Sequence, residues 1–244
     1  MLFRSAVLNR LSDAQLDERI ERAVSTAIAE RSRQLEWQPQ LSAIERQRLA
    51  DQVRRWLRLE QERAPFTVAG LEQKQRLSLG DLTIETKIDR VDRLEDGRLV
   101  IIDYKTGKVT PSGWFTERPD DPQLPIYTRA DFDQPVAGVA FAVVKADEMR
   151  FSGVVAEAGL LPGLPVRGKS EAAMATETWP DVLGEWSAVC QGLANDFIAG
   201  HAAVHPKQGL KTCDNSYCDL APLCRIHTAV EAEPAEDEPA EDEQ

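Results

Sequence analysis

Apolar residues in the first third of the chain recur at the spacing of amphipathic helices. Ser12 and Gln15 have the form of a capping box, which marks the start of a first helix. Ser42 and Glu45 repeat this signature, so we predict a second helix that begins there and ends before Pro65. The apolar positions of the two helices are Leu16, Ile20, Ala23, Val24 and Ala27, and Ile44, Leu49, Val53, Trp56 and Leu57. Residues 1–64 are therefore expected to form a helical region that packs on the rest of the chain.

From Phe66 onward the pattern changes to short runs of strand character. The third run contains an almost entirely apolar stretch, 99–102, which is typical of a buried strand, and it ends in charged residues. Strands are predicted at 66–77, 82–94, 98–104, 136–145 and 149–156, and further helices at 123–130 and 179–199. This order predicts an α/β domain over residues 65–228, with a cysteine-bearing loop at its C-terminal end.

The net charge of −12 at first argues against a polyanionic partner. Residues 231–244, however, carry eight acids and no bases, so the rest of the chain has a net charge of only about −4. Such a segment has little to bury, and we predict a disordered acidic tail over 229–244. The first residues do not have the pattern of a secretory signal, and no apolar run is long enough to cross a bilayer. A soluble cytoplasmic protein with no membrane partner is therefore expected.

Two carboxylates and a lysine stand at the ends of neighbouring predicted strands. Asp89 and Asp103 lie on strands joined by one hairpin, and Lys105 follows two residues after Asp103, on the same face of its strand. Hard oxygen ligands that converge in this way suit Mg²⁺ or Mn²⁺. An ammonium group beside them can orient an attacking water and offset charge on a phosphate. Taken singly, each residue is also explained by a hairpin turn or a surface ion pair.

Three motifs in order along the chain resemble the PD-(D/E)XK nuclease superfamily, and within it the RecB/AddB-like branch. They are the Asp89-Arg90-Val91-Asp92 run, the Asp103-Tyr104-Lys105-Thr106-Gly107 run, and Gln123 followed by Tyr127. The resemblance covers about residues 66–226 and implies a restriction-endonuclease-like fold, a mixed sheet flanked by helices. It also implies that Asp89, Asp103 and the main-chain carbonyl of Tyr104 bind the metal and that Lys105 is catalytic. Gln123 and Tyr127 would then brace the lysine and contact DNA.

One feature of that branch has no counterpart at the expected place. Its members usually carry a metal-binding His or Glu on a helix before the strands, whereas the histidines here are His201, His205 and His227. Either Glu72 or Glu45 takes part instead, or the chain begins after that motif as the C-terminal nuclease domain of a larger DNA repair protein. We expect the latter.

The four cysteines are Cys190, Cys213, Cys218 and Cys224. Three of them fall within twelve residues, a ligand-like spacing for thiolates around an iron-sulfur cluster or zinc. AddB-like relatives hold a [4Fe-4S] cluster with comparable cysteines, and by this resemblance the fourth ligand here would be Cys190 or a residue of a missing N-terminal part. Zinc bound with His227 and a metal-free loop are the two alternatives.

The leading functional hypothesis is a metal-dependent deoxyribonuclease, by resemblance an exonuclease in DNA repair and recombination, with Mg²⁺ or Mn²⁺ as cofactor. The chain has no Walker-type phosphate loop and no Ser-His or Cys-His pairing near the charged strand. A helicase subunit or an upstream helicase-like region is the expected protein partner. The basic residues expected to follow a phosphate backbone are Lys87, Arg90, Arg93, Lys108, Arg118 and Arg129, although Arg90 with Asp92 also reads as a structural ion pair.

Two rival hypotheses remain open at the level of the sequence. In the first, the nuclease fold persists as a catalytically inactive DNA-binding or scaffold domain of a larger helicase-nuclease. In the second, the acids form only a cluster of salt bridges in an unrelated α/β protein.

Overall fold

The computed structural model of the chain describes residues 3–164, 178–215, 218–224 and 226. The helices are α1 (Ser5–Leu8), α2 (Asp13–Leu35), α3 (Pro39–Gln61), α4 (Gln123–Tyr127), α5 (Trp179–Ile198), α6 (Leu210–Asn215) and α7 (Ala221–Cys224). The strands are β1 (Phe66–Leu79), β2 (Leu82–Leu94), β3 (Leu99–Lys105), β4 (Val136–Val144), β5 (Met149–Val155) and β6 (Lys207–Gly209). A short 3-10 turn, Pro111–Trp114, precedes α4.

The first long helix begins as the sequence predicts. The Ser12 side chain accepts a hydrogen bond from the Gln15 N–H, and the Gln15 side chain accepts one from the Ser12 N–H, so both halves of the capping box are present. Leu16, Ile20 and Val24 are buried on one side of α2 and pack with residues of α3.

The predicted start of the second long helix is wrong. α3 begins at Pro39, three residues before Ser42, because proline at the first helical position has its φ preset and needs no N–H partner. Ser42 therefore lies inside α3, where its hydroxyl is 2.8 Å from that of Ser32 on α2. Ile44, which we expected on the apolar side, is 63% exposed.

Five strands form one mixed sheet in the order β1-β2-β3-β4-β5. All neighbouring pairs are antiparallel except β3 and β4, which are parallel and joined by a connection that contains α4. One face of the sheet packs with α4, α5 and the 3-10 turn around Trp114, Phe141 and Trp186. The other face packs with α3 through Trp56. The predicted α/β class, a mixed sheet flanked by helices, is confirmed.

The pairing of β2 with β3 is short and ends at Arg90 opposite Ile102. Beyond that point β2 continues with β1 alone, as a two-stranded ribbon that closes at Leu79 and Leu82. β2 and β3 therefore separate where Asp89 and Asp103 are placed, and this separation opens space at the carboxyl end of β3.

The chain divides into two compact units, residues 1–195 and residues 196–244. The second unit contains β6, α6 and α7 among its described residues. The predicted acidic tail, 229–244, lies outside the described residues. Within the part of the chain that the structure describes, no helix has both the length and the apolar character needed to cross a membrane.

Candidate active site

The carboxyl end of β3 carries the two charged residues that the sequence pairs on one face. Asp103 is 2% exposed, at the end of a strand whose preceding residues are all buried. The Lys105 Nζ lies 2.7 Å from Asp103 Oδ2, and the lysine side chain is partly exposed. The alternation of β3 thus brings an acid and an ammonium together at the border between core and solvent.

α4 contributes Gln123 and Tyr127, which are one turn apart on the same side of the helix. Gln123 Nε2 donates to Asp103 Oδ1 at 2.7 Å, and Gln123 Oε1 accepts from Lys105 Nζ at 2.7 Å. The same Nε2 lies 2.7 Å from the Tyr127 hydroxyl, which donates to the main-chain carbonyl of Lys87 on β2 at 3.1 Å. The Gln123 amide therefore connects Asp103 with Lys105, and through Tyr127 it also connects both of them to β2.

Asp89 reaches the same strand end from β2. Its Oδ2 accepts a hydrogen bond of 2.9 Å from the main-chain N–H of Tyr104. This bond lies beyond the last β2–β3 pair, Arg90 opposite Ile102, so a side chain rather than a strand partner satisfies this N–H. The structure thus brings together all the predicted catalytic residues.

The electrostatics of the site are those of clustered acids with one cation among them. Burial raises the pKa of Asp103 above its usual value, Lys105 opposes that shift, and the negative charges of Asp89 and Asp121 add to it. Burial works against the ammonium of Lys105, but the neighbouring acids, Asp103 first, raise its pKa. Sequence reasoning missed Asp121, and its place two residues before Gln123 was the available signal.

The donors at this site fit a hard divalent cation. Asp103 Oδ2 is buried and accepts no hydrogen bond of good geometry, and its contact is the ion pair with Lys105. A buried carboxylate oxygen in that state is under-coordinated, and carboxylate oxygens are the ligands that Mg²⁺ and Mn²⁺ prefer. Among the described residues, no three or more His, Cys, Asp or Glu are grouped so as to hold a metal ion. A cation here would therefore be held by few protein ligands, as Mg²⁺ commonly is.

Glu45 and Glu72, the two acids that could replace the missing upstream metal ligand, each already pair with a basic side chain. Glu45 on α3 accepts two hydrogen bonds from Arg48, at 2.9 and 2.6 Å. Glu72 on β1 forms an ion pair with Lys87. The polar residue of α3 that lies beside the site is Gln52, which lines a groove together with Lys105.

A buried, charge-balanced group of two arginines and two acids lies where β2 faces α3. Arg90 donates to both oxygens of Asp92 at 2.7 and 2.8 Å and to Glu60 of α3 at 2.7 Å. Arg63 lies 2.6 Å from Glu60 and 2.8 Å from Asp92. Arg90 also donates to the hydroxyl of Tyr104 at 2.8 Å.

The predicted Arg90–Asp92 ion pair is confirmed by these contacts. Burial alone would lower the pKa of Arg90, but Asp92 and Glu60 raise it. Because Arg90 is enclosed by these partners, we leave it out of the groups proposed to contact DNA. Glu60 and Arg63 were missed at the level of the sequence. A charged residue one turn after Trp56, on the buried side of α3, was the signal for Glu60.

The other basic residues expected to contact DNA lie at the surface. Lys87, Lys108, Arg118 and Arg129 are exposed, and Arg93 is half-buried. Arg129 donates to the Ser187 hydroxyl at 2.6 Å, and Arg93 lies 3.0 Å from Asp133. Surface contacts of this kind are weak and exchange readily for a phosphate partner.

The cysteines are all unbridged thiols. Cys190 is buried on α5 with Leu79 and Ala194, and burial raises the pKa of its thiol. Cys213 lies on α6, and its carbonyl accepts a hydrogen bond of 3.2 Å from the N–H of Cys218. Cys224 is the last residue of α7, and His227 lies outside the described residues. The iron-sulfur and zinc assignments stay predictions.

Comparison with protein families identifies a match for most of the chain. The sequence model of the PD-(D/E)XK nuclease superfamily matches residues 2–225. A search of curated proteins found no match. The family model covers more than nine-tenths of the chain, and it spans both the helical region and the strands that carry Asp89, Asp103 and Lys105. The chain therefore belongs to the PD-(D/E)XK nuclease superfamily.

Proposed function

We propose that this protein is a metal-dependent deoxyribonuclease that hydrolyses phosphodiester bonds at the end of β3. The observation that carries the proposal is the joined set of contacts among Asp103, Lys105 and Gln123, with Asp89 at the same strand end. Membership in a nuclease superfamily supports the same reaction class.

The proposed roles follow from the contacts. Asp89, Asp103 and the main-chain carbonyl of Tyr104 would hold Mg²⁺ or Mn²⁺, which supplies Lewis-acid activation of the phosphate and of water. Lys105 places its ammonium where negative charge develops on the phosphoryl oxygens. Gln123 fixes the lysine by accepting its hydrogen bond, and Tyr127 fixes Gln123. Pre-set donors of this kind stabilise the transition state without reorganising during the reaction.

The finer assignments are also proposals. The RecB/AddB-like branch is supported by three ordered motifs that meet in one site, and it suggests exonuclease activity in DNA repair, a cytoplasmic location and a helicase partner. A [4Fe-4S] cluster bound by Cys190, Cys213, Cys218 and Cys224 rests on spacing alone, as does the alternative, zinc bound by the last three cysteines with His227. Iron, sulfide and zinc analysis of anaerobically purified protein tests that assignment.

A second candidate function is a DNA-binding module that does not cleave. It is favoured by one observation, that no third acidic or histidine ligand is grouped with Asp89 and Asp103 among the described residues. Weak metal binding would then leave the site inactive.

The experiment that separates these functions is degradation of labelled linear and circular DNA with Mn²⁺, Mg²⁺ or EDTA. The nuclease proposal expects cleavage that requires metal and is abolished in Lys105→Ala. Lys211→Ala, an exposed lysine of the second unit, is the matched control and should cleave like the wild type. A folded wild-type chain that leaves every substrate intact would favour the binding module.

A further inference from the structure

A groove between α3 and the carboxyl end of β3 opens beside the candidate active site. Its volume is about 430 Å³, within the usual size range of small-ligand sites. We call it the α3 groove, and its lining residues are Leu49, Gln52, Val53, Trp56, Tyr104, Lys105, Thr106 and Val144. Lys105 belongs both to this lining and to the proposed catalytic set, so the groove is continuous with the site.

The walls of the α3 groove are apolar and include a fixed aromatic ring. Tyr104 is 41% exposed, and its ring packs edge to face with that of Trp56, with 5.9 Å between the ring centroids. The Tyr104 hydroxyl accepts a hydrogen bond from the buried Arg90, which holds the ring in place. A ring that is already ordered loses little entropy when a flat ligand stacks on it.

Gln52 brings an amide side chain from α3 to the groove. Gln52 is 8% exposed, and its Oε1 accepts a hydrogen bond of 2.7 Å from Arg48, which Glu45 holds in turn. This contact fixes which end of the amide is the acceptor. Gln52 Nε2 donates to no other described residue, so it can donate to a ligand in the groove. The groove therefore offers apolar walls, an ordered ring and the Gln52 amide donor. A second lining donor, the buried Trp56 Nε1, also has no hydrogen-bond partner among the described residues.

We propose that the α3 groove binds an unpaired nucleobase of the DNA, next to the phosphodiester that Lys105 contacts. A nucleobase has apolar faces for Tyr104 and the aliphatic wall, and acceptor atoms at its edge for Gln52 Nε2. A paired base is covered by its neighbours and has its edge engaged, so only a single strand or an opened end fits. The inference rests on the proposed nuclease function and names single-stranded DNA as its substrate class.

The test is equilibrium binding in EDTA, which needs no cleavage. Fluorescence anisotropy compares a labelled oligothymidylate with an oligonucleotide of the same backbone that carries abasic positions. Loss of the bases should weaken binding to the wild type by about fivefold or more, because stacking and one hydrogen bond are lost. Gln52→Leu should weaken binding to the oligothymidylate by about fivefold and leave binding to the abasic strand unchanged. Gln47→Leu, at an exposed glutamine of the same helix, is the matched control and should bind like the wild type.

Each other result overturns the inference. No base enters the groove if the wild type binds the oligothymidylate and the abasic strand with equal affinity, or binds no single strand at all. The same conclusion follows if Gln52→Leu and Gln47→Leu bind the oligothymidylate with equal affinity. If Gln52→Leu does not fold, Tyr104→Leu, which removes the stacking ring, takes its place in the same comparison. Cleavage with Mn²⁺, measured in parallel, separates the two proposals. Base-dependent binding without cleavage refutes the nuclease alone, and cleavage without base dependence refutes the groove alone.

Discussion

Gln123 is the residue on which the geometry of the candidate site depends most. An amide side chain has a donor end and an acceptor end, and here Lys105 requires the acceptor while Asp103 requires the donor. The Tyr127 hydroxyl accepts a hydrogen bond from the same donor end and donates one to the Lys87 carbonyl on β2. The amide orientation is therefore fixed by three side chains, and this holds the lysine at a set distance from the acid.

Tyr127→Phe tests that dependence at a single oxygen atom. The ring stays packed in the core, but Gln123 loses one partner and the Lys87 carbonyl loses its donor. We expect a stability loss of about 1 kcal/mol and a roughly tenfold fall in cleavage rate, because the amide is released. Chemical denaturation and single-turnover cleavage check the two effects. An unchanged rate in the variant would show that Tyr127 does not position the site.

At the scale of elements, buried charge joins α3 to β2. Glu60 from the helix, Arg90 and Asp92 from the strand, and Arg63 from the connection between α3 and β1 balance one another inside the protein. Each of the four groups makes at least two short contacts, which helps to offset desolvation. Arg63 makes its contacts through Nη1, and its Nε and Nη2 have no hydrogen-bond partner among the described residues. Through the Tyr104 hydroxyl, this group also fixes the residue that lies between Asp103 and Lys105.

Glu60→Gln should therefore be strongly destabilising. It leaves two buried guanidinium groups with one carboxylate, and breaking such a group costs on the order of 3–5 kcal/mol. Glu18→Gln is the matched control, because the Glu18–Arg22 pair is exposed on α2 and contributes little. Urea denaturation of both variants is the measurement. Similar midpoints for the two would contradict a structural role for the buried group.

The packing of β5 against β4 supplies a second prediction at this scale. A Cβ added to Gly153 would overlap the main chain of Val139 and Ala140. Gly153→Ala should lower the free energy of unfolding by about 1–3 kcal/mol, as overpacking does. Gly184 lies within α5 with open space around it, so Gly184→Ala should instead stabilise by about 0.5–1 kcal/mol. In thermal denaturation, the melting temperature should fall in Gly153→Ala and rise in Gly184→Ala. A change in the same direction in both variants would refute the packing argument.

Across the whole molecule, the features that the sequence predicts correctly are those set by residues close together in the chain. The capping box at Ser12, the apolar run before Asp103 and the spacing of Gln123 and Tyr127 are local, and each was predictable. The start of α3 was mistaken because two rules competed, and proline at Pro39 prevailed over the serine signature at Ser42. The positions of Glu60 and Asp121 had local signals, but the groups that each of them contacts or influences did not. The contact of Glu60 with Arg90 and the charge of Asp121 near Asp103 appear only once the chain is folded.

The most direct test of the nuclease site uses two metal-dependent properties of the intact chain. Mn²⁺ should raise the melting temperature of the wild type, because a ligand bound to the native state stabilises it, and should permit cleavage of linear DNA. Asp103→Asn should lose both effects while remaining folded, whereas Asp133→Asn, at an exposed acid paired with Arg93, should keep both. Cleavage and Mn²⁺ stabilisation that persist in Asp103→Asn would contradict the account, because the reaction would then take place elsewhere in the protein.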